Sequence, residues 1–370
     1  MPILTDIIAA LPAAVPFVGP EAIERRRGRQ FLARIGANEN VFGPSPNAID
    51  AMRRATAGVW QYGDPENSDL RHALAEFYRI EAENIVVGEG IDGLLGYLVG
   101  MTVSAGNKVV TSDGAYPTFN YHVRRFGGEL IKLPNCGEFE DIDALIAVAR
   151  QQRAKLIYLA NPDNPMGTFH GREAVSRMID AVPEGCLLIL DEAYLECTGL
   201  ETAPEVDPLD RRVIRMRTFS KAYGMAGARV GYAIGHRDWI AAFEKVRNHF
   251  GMCRISQAGA LAALQDQSYL RQTVAAIADA RRRIGQISCA NGLRTIPSSA
   301  NFVAIDCGGD GGFARHVLDG LLARDIFARM PNVSPLDRCI RISAGTAKDL
   351  EYFAEALPPA LQEATSIIPR

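Results

Sequence analysis

The chain has 370 residues, 48% of them hydrophobic and 22% charged, with a formal net charge of −3. That length and composition describe a globular protein with a large core, divided into a major and a minor domain. The charge balance excludes a bulk electrostatic attraction to nucleic acid or to an anionic membrane.

Two basic clusters, Arg25-Arg26-Arg27 with Arg29 and Arg281-Arg282-Arg283, read as solvated faces. Seven cysteines are scattered singly without a C-x-x-C pair, as in a cytoplasmic protein with reduced thiols. The six histidines contain no H-E-x-x-H, so no metal site is expected. No basic leader precedes the first apolar stretch, which Asp6 interrupts, so no signal peptide is expected. The uncharged segment 93–106 is too short to span a bilayer.

In chain order, residues 1–45 are rich in Pro and Gly and read as an arm that packs on the rest of the molecule or on a partner subunit. Apolar runs at 85–87, 108–112, 155–159, 187–190, 213–216 and 229–234 read as buried strands. Helical segments such as 142–152 and 172–181 lie between several of them. Continuous apolar strands alternating with helices predict an α/β fold, a mostly parallel sheet covered on both faces. From 238 to 267 helical periodicity takes over. A long helix at 267–291, a strand at 301–306, a helix at 312–324 and a strand at 338–343 follow, which reads as a smaller α+β domain. The expected division is an arm to 45, a large domain at 46–265 and a small one at 266–370.

Ligands of such sheets bind beyond the carboxyl ends of the strands, and the chemistry-bearing residues all cluster there. Gly88-Glu89-Gly90-Ile91-Asp92-Gly93 spells the G-x-G-x-x-G of dinucleotide sites, and Asp113 stands at the end of the next strand. The physics needs only N–H groups at a helix N-terminus, so any phosphate satisfies the loop. Asp191 closes the run Leu187-Leu188-Ile189-Leu190 and reads either as a helix cap or as the partner of a ring nitrogen. Tyr194 follows by three residues; Asn164 lies in Asn161-Pro162-Asp163-Asn164-Pro165-Met166-Gly167, where it also reads as a turn residue. Tyr116 is placed to stack on a ring or to fill the core. Lys221, in Thr218-Phe219-Ser220-Lys221, has a hydroxyl before it and Arg229 after it, a setting for Schiff-base chemistry beside a phosphate.

Together these residues resemble the fold-type-I pyridoxal-phosphate enzymes, the aspartate aminotransferase superfamily, and within it the histidinol-phosphate aminotransferases. The matching pieces run in order along nearly the whole chain: Asn38-Glu39-Asn40, Gly43-Pro44-Ser45-Pro46, Val87-Gly88-Glu89-Gly90-Ile91-Asp92, Asn164-Pro165-Met166-Gly167, Asp191-Glu192-Ala193-Tyr194, Ser220-Lys221-Ala222 with Arg229, and Arg341-Ile342-Ser343-Ala344-Gly345-Thr346. The resemblance implies the aspartate aminotransferase fold, pyridoxal 5′-phosphate as cofactor and a cytoplasmic homodimer with a shared active site. It implies that Lys221 binds the cofactor and shuttles the proton, that Asp191 pairs with the pyridine nitrogen, and that Asn164 and Tyr194 bond the 3-oxygen. Ser220, Arg229, Ile91 and Asp92 would hold the phosphate, Tyr116 the ring face, and Tyr62 the phosphate of the partner's cofactor. Arg341, Arg329 and Asn40 would meet the substrate. The implied reaction interconverts histidinol phosphate and 2-oxoglutarate with imidazole acetol phosphate and glutamate. Aromatic transamination or decarboxylation of a phospho-amino acid on the same fold, a nicotinamide-dependent dehydrogenase, and a non-catalytic ligand-binding protein of the same fold, against which the intact Lys221, Asp191 and Arg229 argue, are the alternatives. Gly63, Gly93 and Met166 depart from the family's usual proline, acidic residue and threonine.

Overall fold

A computed structural model describes residues 3–12 and 18–367. Residues 1–2 and 13–17 of the expected arm and 368–370 of the expected small domain lie outside it. The described residues form twelve strands: β1 (Ala33–Arg34), β2 (Ile85–Gly88), β3 (Lys108–Ser112), β4 (Glu129–Leu133), β5 (Leu156–Ala160), β6 (Leu187–Asp191), β7 (Val213–Thr218), β8 (Gly231–Gly235), β9 (Arg294–Thr295), β10 (Phe302–Asp306), β11 (Ile326–Phe327) and β12 (Cys339–Ser343).

Seven strands build the main sheet in the order β2-β8-β7-β6-β5-β3-β4. β8 runs antiparallel to both neighbours, and the other pairings are parallel. Alternation along the strands divides the apolar side chains between two helical layers. Leu156, Tyr158, Leu187 and Ile189 join a cluster with Leu94, Leu98 and Phe119. Ile157, Leu159, Leu188 and Leu190 join one with Leu145, Val175 and Ile179 from helices Ile142–Gln152 and Arg172–Ala181.

The second part is a three-stranded antiparallel sheet, β12-β10-β9, with helices Gln267–Ala290, Gly311–Ala323 and Ala347–Ile367. β1 pairs with β11, so residues 33–34 are tied to the C-terminal part of the chain. Besides the two-residue strands β1, β9 and β11, which were not expected, expectation and structure differ in three places. β8 begins two residues late because Arg229 takes a left-handed φ of 54°. The helical region 238–267 is two helices, Arg237–Phe243 and Arg254–Gln265, with a turn between them. β4 was not expected: it is an edge strand whose Glu129 and Lys132 are exposed.

The order of the main sheet decides what the glycine loop can do. A dinucleotide site needs its acidic residue on the strand beside the loop. Here β8, β7, β6 and β5 separate β2 from β3, and Asp113 beyond β3 pairs with Lys132 at 3.5 Å. The loop instead faces the start of β8. A Cβ on Gly231 would stand 2.7 Å from both Gly90 C and Ile91 N, so only glycine lets the strand approach. Gly231→Ala is expected to cost about 1–3 kcal/mol by overpacking, read as a lower denaturation midpoint. An unchanged midpoint would show that strand and loop separate freely.

Candidate active site

The parallel strands of the main sheet deliver their carboxyl ends to one edge, where a cavity of about 320 Å³ opens. Ile91, Asp92, Tyr116, Asn164, Asp191, Tyr194, Ser220, Lys221, Arg229, Arg329 and Arg341 all line it. They come from six separate stretches of chain, which is why they had to be gathered by folding.

Asp191 is the last residue of β6 and is buried. Its Oδ1 accepts from the Ala193 N–H at 3.0 Å, which closes a local turn; it caps no helix, because the next one, Leu195–Cys197, has Tyr194 at its N-cap and no side-chain cap. Its Oδ2 accepts from the Tyr158 hydroxyl at 2.6 Å. Burial lifts the carboxyl to about 6, against the opposing pull of these two donors. Lys221 follows β7. Its Nζ donates to the Asn38 carbonyl at 3.2 Å and stands 5.4 Å from the Tyr194 ring centre. The Tyr194 hydroxyl accepts from Asn38 Nδ2 at 3.0 Å.

At one side Ser220, Arg229 and the first turn of helix Gly90–Thr102 form a cradle. Arg229 donates through Nη1 to Ser220 Oγ at 3.3 Å, and its Nη2 lies 3.7 Å from Asp92. Gly90, at φ 76°, leaves the room: a Cβ there would be 2.3 Å from Arg229 Nη2. Backbone N–H groups at a helix start, a hydroxyl and a guanidinium make a site for a phosphate.

At the other side the backbones of Arg329 and Arg341 pair, with Arg341 N donating to Arg329 O at 2.6 Å. Arg341 also donates to Asn164 Oδ1, and its Nε is buried without a partner among the described residues. Burial, and after it the neighbouring Arg329 guanidinium, helps push Arg341 down to about 10. Arg329 donates to the Val18 carbonyl at 2.9 Å.

Two expected residues stay out of the cavity. Asn40 does so because its amide is spent on backbone groups: Nδ2 donates to Ala222 O, next to Lys221, at 2.9 Å, and Oδ1 accepts from Phe42 N in its own turn at 3.0 Å. Asn38 takes the place facing the cavity, at φ 56°, a backbone asparagine tolerates better than most residues. Tyr62 stands at the surface, 78% exposed, its ring 4.7 Å from Phe250. Asn38 and Tyr158 were missed as site residues. Tyr158 gave a signal: a phenol inside the apolar run Leu156–Ala160 must find a polar partner.

The sequence profile of the family described as aminotransferase class I and II matches residues 33–357, and the chain belongs to that family. A histidinol-phosphate aminotransferase of Anaeromyxobacter sp. (strain Fw109-5) is 33% identical over 361 residues, covering 96% of this chain and 98% of the relative. The crystal structure of histidinol-phosphate aminotransferase from Sinorhizobium meliloti in complex with pyridoxal-5′-phosphate is 49% identical, covers 98% of both chains and superposes with a TM-score of 0.95. Thermus thermophilus aspartate aminotransferase with maleate, 24% identical over 97% of this chain and 99% of that one, shares the fold with a TM-score of 0.82. The fold is therefore that of the aspartate aminotransferases, and the chain is a transaminase.

The raised Asp191 carboxyl has a sign that can be measured. Its folded pKa of about 6 exceeds its ordinary 3.8, so its contribution to stability is complete below pH 3.8 and lost as pH rises through 6. In protein stripped of bound ligand, Asp191→Asn is expected to be more stable than the parent at pH 8, by on the order of 3 kcal/mol. The difference should vanish near pH 3.5. A variant less stable at pH 8 would mean that the buried carboxylate is already compensated.

Proposed function

We propose that the protein is a pyridoxal-phosphate-dependent aminotransferase that interconverts histidinol phosphate and 2-oxoglutarate with imidazole acetol phosphate and glutamate. The observation that carries this reading is the convergence on one cavity of a lysine amine, a buried carboxylate and the cradle of Ser220 and Arg229. The residues fit the cofactor. Ser220, Arg229 and the N–H groups at Ile91 and Asp92 suit its phosphate, and Tyr116, Asn164 and Tyr194 suit its ring. A ring nitrogen carrying a proton would offset the burial that now raises Asp191. When bound, the cofactor supplies a sink for the electron pair left at the substrate's α-carbon.

The chain's own residues do the rest. Lys221 would hold the cofactor through Nζ until the donor's amino group displaces it, and the freed Nζ amine would then take the α-proton, an acceleration of about 10²–10⁴-fold for a positioned base. Asp191 keeps the ring nitrogen protonated, and Tyr158 orients that carboxylate. Arg341 and Arg329 clamp the substrate's phosphate or distal carboxylate and so fix the α-carbon near Lys221.

The active enzyme is a homodimer in the cytoplasm. Val59, Trp60 and Tyr62 are 60%, 80% and 78% exposed, an apolar run suited to cover by a second copy. In that arrangement Tyr62 reaches the partner's cofactor phosphate. Residues 46–265 serve as the cofactor domain, 266–370 as the domain that brings Arg329 and Arg341, and 1–45 as the arm.

Purified protein given histidinol phosphate and 2-oxoglutarate should form glutamate, and borohydride should fix the cofactor to Lys221. Lys221→Ala should lose both attachment and turnover. Labelling of another lysine would overturn the assignment; turnover of phenylalanine but not histidinol phosphate would overturn the substrate alone.

Mixing Lys221→Ala with Tyr62→Ala subunits should restore part of the activity, since one heterodimer site would carry both native residues. No recovery despite demonstrated exchange would remove Tyr62 from the partner's site.

A further inference from the structure

A second cavity, of about 560 Å³, opens beside the first, and Tyr116, Asn164, Arg329 and Arg341 line both. Its outer part draws on three separate elements. Helix Pro117–Arg125 contributes Arg124, β4 contributes Lys132, and helix Gly311–Ala323 contributes Arg315. With Arg329 and Arg341 inside, five cationic side chains border the space, and among the described residues lining it none is acidic. The chain as a whole has 43 acidic against 40 basic residues, so this surface inverts the average charge of the molecule. Asp113, 3.5 Å from Lys132, offsets one of the outer charges in part.

The arrangement is graded. Arg124, Lys132 and Arg315 are exposed at the mouth, whereas Arg329 and Arg341 lie deeper. Like charges on the walls of a cleft repel one another, and the low-dielectric walls focus their field into the opening. An anion that enters relieves the repulsion, and a dianion relieves it more than a monoanion. Arg124 belongs to the main-sheet side and Arg315 to the side of the smaller sheet, so a phosphate at the mouth meets charge from both.

We propose that this second cavity is an anion-collecting vestibule, in which Arg124, Lys132 and Arg315 capture a phosphomonoester dianion and deliver it to Arg329 and Arg341. The delivery step rests on the aminotransferase reading of the adjoining cavity. The capture step does not.

The test uses the holoenzyme and the double variant Arg124→Gln/Arg315→Gln; both side chains are exposed, so neither change opens the core. With histidinol phosphate, kcat/KM of the parent should fall several-fold as ionic strength rises from about 0.02 to 0.2 M, because the Debye length shrinks to below 10 Å. The double variant should start about tenfold lower at low salt, mostly through KM, and lose most of that salt dependence. Equal values and equal slopes in parent and variant would overturn the proposal. Calorimetric titration with inorganic phosphate separates the two readings, since it needs no turnover. Binding about tenfold weaker in the double variant sustains the vestibule even where histidinol phosphate is not a substrate. Equal phosphate binding overturns it whatever the enzyme's reaction.

Discussion

The buried ion triad behind the sheet edge holds the site in place. Glu192, one residue past Asp191, lies between Arg215 and Arg217 of β7 at 3.0 and 2.8 Å, and all three side chains are nearly inaccessible. A charge in that position persists only because it is paired, and removing one partner from such a group costs about 3–5 kcal/mol. The clamp pins the pairing of β6 with β7 at Asp191 opposite Met216, and the Glu192 N–H donates to Met216 O at 2.8 Å. Successive residues of an extended segment face opposite ways. Holding Glu192 toward the arginines therefore turns Asp191 and Ala193 toward the cavity. The same guanidinium of Arg217 lies over the Tyr78 ring at 4.8 Å, and Tyr78 bonds Tyr232 of β8 at 2.8 Å. One electrostatic constraint thus spans β6, β7 and β8, the strands that carry or flank Asp191, Lys221 and Arg229.

Ionised groups of both signs share the cavity: Glu39, Asp92 and Asp191 line it together with Lys221, Arg229, Arg329 and Arg341. Burial raises the Asp191 carboxyl and lowers Arg341 and Arg329. A ligand group of opposite charge would stabilise each of these three. A charge-assisted hydrogen bond contributes about 1.5–3 kcal/mol, enough for two such contacts to separate a phosphorylated substrate from a neutral one by more than a hundredfold. The geometry is that of a site finished by its ligands.

How much of this was legible depended on where each residue stood. Buried parallel strands announce themselves by uninterrupted apolar runs, so β2, β3, β5, β6 and β7 were placed to within two residues. β4 escaped because it is an edge strand whose short apolar run is broken by Glu129 and Lys132, and β1 and β11 because two residues carry no period. The residues at strand ends were legible as types: a lysine, an aspartate, a hydroxyl, an arginine. Their assembly was legible only through family likeness. Asn38 and Asn40 show the limit. Both lie in the same short motif, and only the left-handed turn at Asn38 decides which amide faces the cavity.

Gly63, Gly93 and Met166 have physical reasons that lie outside the cavity. Met166 is fully buried, in a small cluster with Ile296, Ala304, Leu336 and Cys339, where a threonine would bring an unneeded hydroxyl into apolar surroundings. A Cβ on Gly63 would stand 2.8 Å from both Gln257 Oε1 and Met252 O, so glycine is what the packed Gln257 allows. A Cβ on Gly93 would lie 3.3 Å from Glu89 Oε2, and an acidic side chain there would add a like charge beside Glu89. None of the three lines either of the two adjoining cavities. They answer to packing partners particular to this chain, and so carry no argument against a phosphorylated substrate. The residues that do line the cavities, Arg329 and Arg341 foremost, argue for one.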